Sequence, residues 1–308
     1  MKVGVIVPWL GRGTLELSRQ IEVLGFDSVW TGEHIVGHVP EPEALTAFAG
    51  FAAVTDRITV GTSILVMPLR HPVPTAKAVT TVDGFAQGRV VLGVGAGGDF
   101  AREFEACQVP LRERGARLDE GMDALRLLWS GKDASFSGRH FKFQEVRLDV
   151  EAHQSGGPPL WVGGRSDKAI ERAATRGDGF IPYMYDGTRY RRARDTILDH
   201  RNQGGRAGDP FTFALCVHGF VAPTVEKAEV VASRVLGERY GMQSGPFVRR
   251  YGLLGTIDHR VATLEEFSTA GVEHVVLDHA DDRVEVFGEF LQVFAERLDP
   301  LHKLQASG

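Results

Sequence analysis

Glu33 and His34 stand side by side just after a short apolar run at 27–32. An imidazole beside a carboxylate suits general acid–base chemistry, because histidine titrates near neutrality and the carboxylate can orient or hold its proton. The plainer reading is a polar residue satisfied at a strand end. A second group, Gly163-Gly164-Arg165-Ser166, opens a helix-period stretch. Backbone amides at a helix start, with a hydroxyl and a guanidinium, form an anion site. Ser166 also suits an N-cap, and the two roles are compatible. A third group, Gly93-Val94-Gly95-Ala96-Gly97-Gly98, spells the dinucleotide fingerprint G-x-G-x-x-G. That fingerprint closes the first strand of a βαβ unit and opens a helix at once. Here several strand–helix units precede it, and the next clear helix period starts roughly twenty residues later. Glu113, Asp119 and Glu120 fall near the distance of a ribose-binding acid, but inside a helical stretch. The glycines are therefore read as a loop: at Ala96, Gly97 and Gly98 the backbone can approach a flat ligand closely.

The elements that must position these groups alternate regularly. Apolar runs at 3–8, 27–32, 58–66, 89–95, 159–163, 179–183, 211–221 and 273–278 are separated by helix-period segments. Most lack polar alternation, as expected of parallel strands covered on both faces. Leu17, Ile21 and Leu24 form one helical stripe closed by Gly25; Ala78, Val79, Val82 and Phe85 form another, and Leu118, Met122, Leu125 and Trp129 a third. Eight such units predict one (β/α)8 barrel domain over residues 1–308. Residues 132–158 read as a hairpin insertion before the fifth strand, and glycine-rich 237–257 as an irregular excursion before the last helix.

Composition narrows the function classes. The chain has 308 residues, 43% of them hydrophobic and 24% charged, which suits a globular enzyme-sized domain. A net charge of -5 with interspersed signs gives no footprint for nucleic acid or anionic membrane. Cys107 and Cys216 stand alone, so neither a disulfide framework nor a metal site is expected. Met1 to Pro8 reads as a strand rather than a leader, and no apolar run approaches a membrane span, so a cytoplasmic setting is expected.

The motifs together resemble the bacterial luciferase-like flavin and deazaflavin oxidoreductases. The carriers are Leu24-Gly25-Phe26-Asp27-Ser28-Val29-Trp30 with Glu33-His34, Ile58 to Ser63, Asp83 to Gly98, Arg114 to Glu120, Pro159 to Ser166, and Gly177-Asp178-Gly179-Phe180. Their order and spacing cover nearly the whole chain. The resemblance implies a TIM barrel with a redox cofactor at the carboxyl ends of the strands, His34 against its ring, and Glu33 where relatives often have Asp. It also implies a non-proline cis peptide at Ser63–Ile64 supporting the ring, and a phosphate held by Gly163, Gly164, Arg165 and Ser166. Gly98 stands where relatives often carry a polar or acidic residue, with Asp99 next to it.

The function it implies is hydride transfer between coenzyme F420 and a small carbonyl, alcohol or activated alkene. The alternatives are an FMN-dependent monooxygenase using reduced flavin and oxygen, and a catalytically silent flavin-binding barrel. A homodimer and a separate reductase supplying reduced cofactor are the partners it suggests. Trp9, Tyr183 and Tyr185 sit where they would line an apolar substrate pocket or simply pack. Arg249 and Arg250 suit either an anionic ligand or a solvated loop, and His71 suits a turn.

Overall fold

In the computed structural model, which describes residues 1–241, 245–279 and 284–303, the parallel strands close on themselves. The strands are β1 (Lys2–Ile6), β2 (Ser28–Thr31), β3 (Thr59–Thr62), β4 (Leu65–Val66), β5 (Val90–Gly95), β6 (Ala134–Ser137), β7 (Lys142–Val146), β8 (Leu160–Val162), β9 (Gly179–Phe180), β10 (Thr212–Val221), β11 (Leu253–Gly255) and β12 (His274–Asp278). The order β1-β2-β3-β5-β8-β9-β10-β12 returns to β1, giving an eight-stranded parallel barrel. Helices cover its outside, and the largest core lies between them and the strands. Among the described residues no helix is long and apolar enough to cross a membrane, and no cluster of metal-ligating side chains occurs.

The barrel interior is filled by large rings that glycines admit. Trp30 and Trp161 stack with centroids 5.3 Å apart, and His274 meets both edge-on. The Trp30 indole donates to Ser28 Oγ at 2.7 Å, and that hydroxyl also bonds His274 Nε2 at 2.7 Å. Burial pushes the His274 imidazole down to about 3, so the ring is neutral and fits this layer uncharged. A Cβ at Gly61 would stand 2.2 Å from Trp30, and one at Gly179 2.5 Å from Trp161. The strands that face the two indoles therefore have no side chain at those points.

All eight expected strands are present. The run 58–66 divides into β3 and β4 around Ser63–Ile64, which is a cis peptide. Residues 132–158 contain the expected hairpin, β6 with β7. The described residues of the segment 237–257 (237–241 and 245–257) are built mainly of regular elements, and the segment does not precede the last helix. It holds the end of helix Val225–Tyr240, helix Gly245–Tyr251 and β11, which pairs in parallel with the end of β10; helix Ile257–Thr269, β12 and two further helices follow. Its glycines punctuate these elements: Gly241 caps a helix at φ +63. Phe220, Leu236, Val248 and Leu254 give the segment its own small core. The stripe on helix Pro72–Ala86 is also shifted, since Ala76, Val79, Asp83 and Ala86 are buried while Phe85 faces solvent.

Two alanine substitutions test the interior packing. Gly61→Ala should cost at least about 1–3 kcal/mol, because the methyl overlaps a buried indole. Gly84→Ala, in the helix Pro72–Ala86 with nothing within 4 Å, should be neutral or stabilise by up to about 1 kcal/mol. Urea-denaturation midpoints of the two variants should move in opposite directions or differ clearly; equal shifts would contradict the packing account.

Candidate active site

A cavity of about 410 Å³ opens at the carboxyl ends of the strands. This is the end where barrel loops meet, and where barrels build their sites. Its floor is set by the turn after β3. Thr62 Oγ1 donates to the Gly93 carbonyl at 2.7 Å, and Ser63 N donates to Thr31 O at 2.8 Å. Cβ atoms at Gly95 and Gly163 would both stand 2.7 Å from Ile64 side-chain atoms, so Ile64 fills the space those glycines leave. Gly97 and Gly98 take positive φ, +63 and +114, beside Val66 and Arg114. Glycine is suited to both angles. Glu33 is buried and accepts from Val66 N at 2.8 Å and from the Arg70 guanidinium; Arg70 is also paired with Glu43. The carboxylate thereby ties the end of β2 to β4.

His34 lines the cavity, with its ring edge-on to Phe100 at 4.6 Å. Its Nδ1 lies 3.5 Å from Oε2 of Glu103, an ion-pair distance without hydrogen-bond alignment. Glu103 is fully buried on the six-residue helix Ala101–Ala106, and the same oxygen accepts from Ile35 N at 3.1 Å. Burial opposes a charged imidazole, but the Glu103 contact and the negative charges of Glu41 and Asp99 outweigh it. The His34 pKa is raised. Glu41 also lines the cavity. Burial pushes its carboxyl up; His34 and Arg239 oppose the shift, while Asp278 and Glu103 add to it. At the ends of β10 and β12, His218 Nδ1 and Arg239 Nη1 each lie 2.8 Å from Asp278 Oδ2. Burial opposes that charge too, yet Arg239 and His218 hold the Asp278 carboxyl below the usual carboxylate range.

The other end of the cavity is basic. Ser166 caps helix Asp167–Arg176, its Oγ accepting from Ala169 N at 3.3 Å. Arg165 stacks on Tyr183 at 4.7 Å, and Tyr183 donates to Asp99 at 3.1 Å. Arg114 and Arg172 line the same region. Arg172 is paired with Asp119 at 2.6 Å, and a Cβ on Gly115 would lie 3.6 Å from it. Amide N–H groups at a helix start beside guanidinium groups are what a phosphate needs.

The structure brings Glu33, His34, Ser63, Ile64, Ala96, Gly97, Gly98, Gly163, Gly164, Arg165 and Ser166 around this one cavity. Trp9 and Tyr183 join them, whereas Tyr185 is buried beneath Arg189. Arg249 and Arg250 are surface residues paired with Glu229 and Asp186, and His71 caps a helix. Sequence reasoning missed Glu41, Glu103, Arg114, Arg172, His218, Arg239 and Asp278. His218 and Asp278 carried a usable signal, a polar residue near the carboxyl end of an apolar strand. Cys216, also on the wall, is inert as a nucleophile, because burial pushes its thiol up to about 12.

Comparison with known proteins adds the lineage. The family model described as luciferase-like monooxygenase matches residues 10–288. The F420-dependent glucose-6-phosphate dehydrogenase of Amycolatopsis mediterranei is 26% identical over 336 residues, spanning 96% of this chain and 96% of that protein. Its namesake from Kineococcus radiotolerans is 32% identical over 174 residues, 54% of this chain and 50% of the relative. Among solved structures, an F420-dependent secondary alcohol dehydrogenase in complex with an F420–acetone adduct superposes with TM-score 0.84 at 20% identity, covering 98% of this chain and 99% of that one. A monooxygenase from Streptomyces bottropensis gives 0.82 at 23%, covering 97% and 99%. At these identities the structural likeness establishes a shared fold.

Removing the Glu103 charge tests the electrostatic account. Glu103→Gln should lower the pKa of His34, followed by NMR titration of the ring signals. Because folding raises this pKa, the charged ring contributes fully to stability below its ordinary value near 6.5. That contribution is lost as pH rises through the raised value. In the variant the pH dependence should flatten over that window; an unmoved titration would refute the coupling.

Proposed function

The chain belongs to the luciferase-like monooxygenase family, and we propose that within it the protein is an F420-dependent oxidoreductase exchanging hydride with a small carbonyl, alcohol or activated alkene. The observation that carries this reading is His34 on the cavity wall, backed by buried Glu103, in a cavity that also holds a glycine-lined floor and a basic helix start. The relative aligned along almost its whole length is named as F420-dependent, which supports the choice of cofactor.

The residues fit such a group. Gly97 and Gly98 leave backbone exposed where a planar ring would need close approach, and Ile64 forms an apolar floor beside them. Ser166, Gly164 and the arginines at 114 and 165 would hold a phosphate. F420, when bound, supplies the hydride chemistry at its deazaflavin ring; the protein supplies position, charge and exclusion of water. His34 gives a proton to a carbonyl oxygen being reduced, or takes one from an alcohol being oxidised. Burial opposes the charged ring, but the Glu103 contact and neighbouring carboxylates outweigh it and raise the His34 pKa, favouring the proton-donating form. Glu33 acts through structure: both its oxygens are committed to Val66 and Arg70, which makes it a positioning residue for the floor.

A second reading, an FMN-dependent monooxygenase, rests on the same basic helix start, which would hold a flavin phosphate equally well. Cofactor binding separates the two. F420 fluorescence should be quenched by the apoprotein at concentrations where FMN binds at least about tenfold more weakly. Preference for reduced FMN would overturn the proposal. With a turned-over substrate, His34→Ala should reduce kcat by about 10²–10⁴-fold while F420 affinity stays within a few-fold. Unchanged turnover would remove His34 from the chemistry.

A further inference from the structure

The charges around the cavity are unevenly distributed. Arg114, Arg165 and Arg172 gather near Ser166. Glu103, Glu41 and Asp99 act on His34, with Asp99 bridging to the basic end through Tyr183; Glu41 in turn faces Asp278 and the cation Arg239, which lies 2.8 Å from Asp278. Glu41 is the distinctive member. No described residue makes a hydrogen bond or ion pair with its carboxylate. Its Oε2 reaches toward the β3 turn, 3.7 Å from where a Cβ on Gly32 would stand; the Ser63 carbonyl lies 3.6 Å from the same point. Nearby, His218 is 6% exposed, lines the cavity, and has no partner for its Nε2, while its Nδ1 lies against Asp278.

A buried polar atom without a partner asks for one from a ligand. Here a half-buried acceptor carboxylate, Glu41, and a buried imidazole nitrogen, His218 Nε2, belong to residues of the same cavity wall and lack a partner among the described residues. A hydroxyl or carbonyl answers them without bringing charge. An anionic group would instead be desolvated beside several carboxylates, with a guanidinium already engaged by Asp278. Taking the cavity as the substrate site proposed above, we infer that this end selects uncharged hydroxyl or carbonyl compounds against phosphorylated or carboxylated ones, and that Glu41 sets the selection. A sugar phosphate, the substrate class named for the aligned relatives, is thereby disfavoured.

The test compares cyclohexanone with 4-oxocyclohexanecarboxylate, the same ring with and without a negative charge, and includes glucose 6-phosphate. Binding is followed through the His34 ring resonance, assigned with the His34→Ala variant, so that occupancy of this end is read rather than of the Ser166 end. The ketone should bind at least about tenfold more tightly than its carboxylate, and glucose 6-phosphate should leave the resonance unmoved. In Glu41→Gln the preference for the ketone should shrink several-fold, with thermal unfolding showing that the variant is folded. Equal binding of the ketone and carboxylate, or an unchanged ratio in Glu41→Gln, would overturn the inference. The titrations are made with and without F420; because the signal is a ring resonance and not turnover, failure of F420 to bind would defeat the proposed function while leaving this result readable.

Discussion

The cavity depends on how closely the turn after β3 can lie against β5. A Cβ at Gly93 would stand 1.9 Å from the Thr62 carbonyl oxygen, a backbone atom that cannot swing aside. Gly95 and Gly163 then leave room for Ile64, and Gly97 for Val66. With side chains at these points the turn after β3 could not keep this position, and the cavity wall it forms would change. Glu33 fixes the same turn from the other side through the Val66 amide and Arg70. One close backbone approach, admitted by missing side chains and held by one buried carboxylate, therefore sets the floor on which everything above it is arranged.

On that floor the electrostatics follow from burial and sign. His34 is removed from water, which by itself favours a neutral ring. Three carboxylates reverse this, and Glu103 is the nearest because its short helix is packed against the loop after β2. The same carboxylates act on one another: Glu41 is pushed toward its neutral form while Asp278, which has Arg239 and His218 against it, stays charged. Groups of one kind in one cavity thus diverge because one has close cationic partners and the other does not. Such divergence of neighbouring titratable groups is a feature of functional sites.

Much of this was legible in the sequence. Uninterrupted apolar runs located every barrel strand, since burial on both faces removes polar alternation. The residues expected at the site fell on one cavity because they follow successive strands, and a closed barrel gathers those ends. What was not legible arises from long-range pairing or short elements. Glu103 sits on six helical residues, too few to show a period, and meets a histidine 69 positions away by chain numbering (103 − 34). Arg239 and Asp278 come together only when two separate segments are both placed on the barrel. The stretch 237–257 was misread because glycines that cap and turn regular elements have the same composition as glycines that loosen a loop.

The run Gly93 to Gly98 shows why a pattern needs its mechanism. In a dinucleotide fold such glycines let a pyrophosphate approach a helix start. Here Gly93 faces the Thr62 carbonyl, Gly95 faces Ile64, Gly97 faces Val66 and Phe104, and Gly98 faces Arg114. Gly93, Gly95 and Gly97 make room for protein neighbours, while Gly97 and Gly98 also line the cavity; the anion-suited helix start lies elsewhere, at Ser166 after β8. The letters are the same because both structures need small residues at short intervals along a strand end. Position decides between them: at the first strand of an open sheet the space is left for a ligand's phosphates, whereas between the third and fourth barrel strands Gly93 and Gly95 leave it for the chain itself, and only the end of the run, Gly95 to Gly98, reaches the cavity wall.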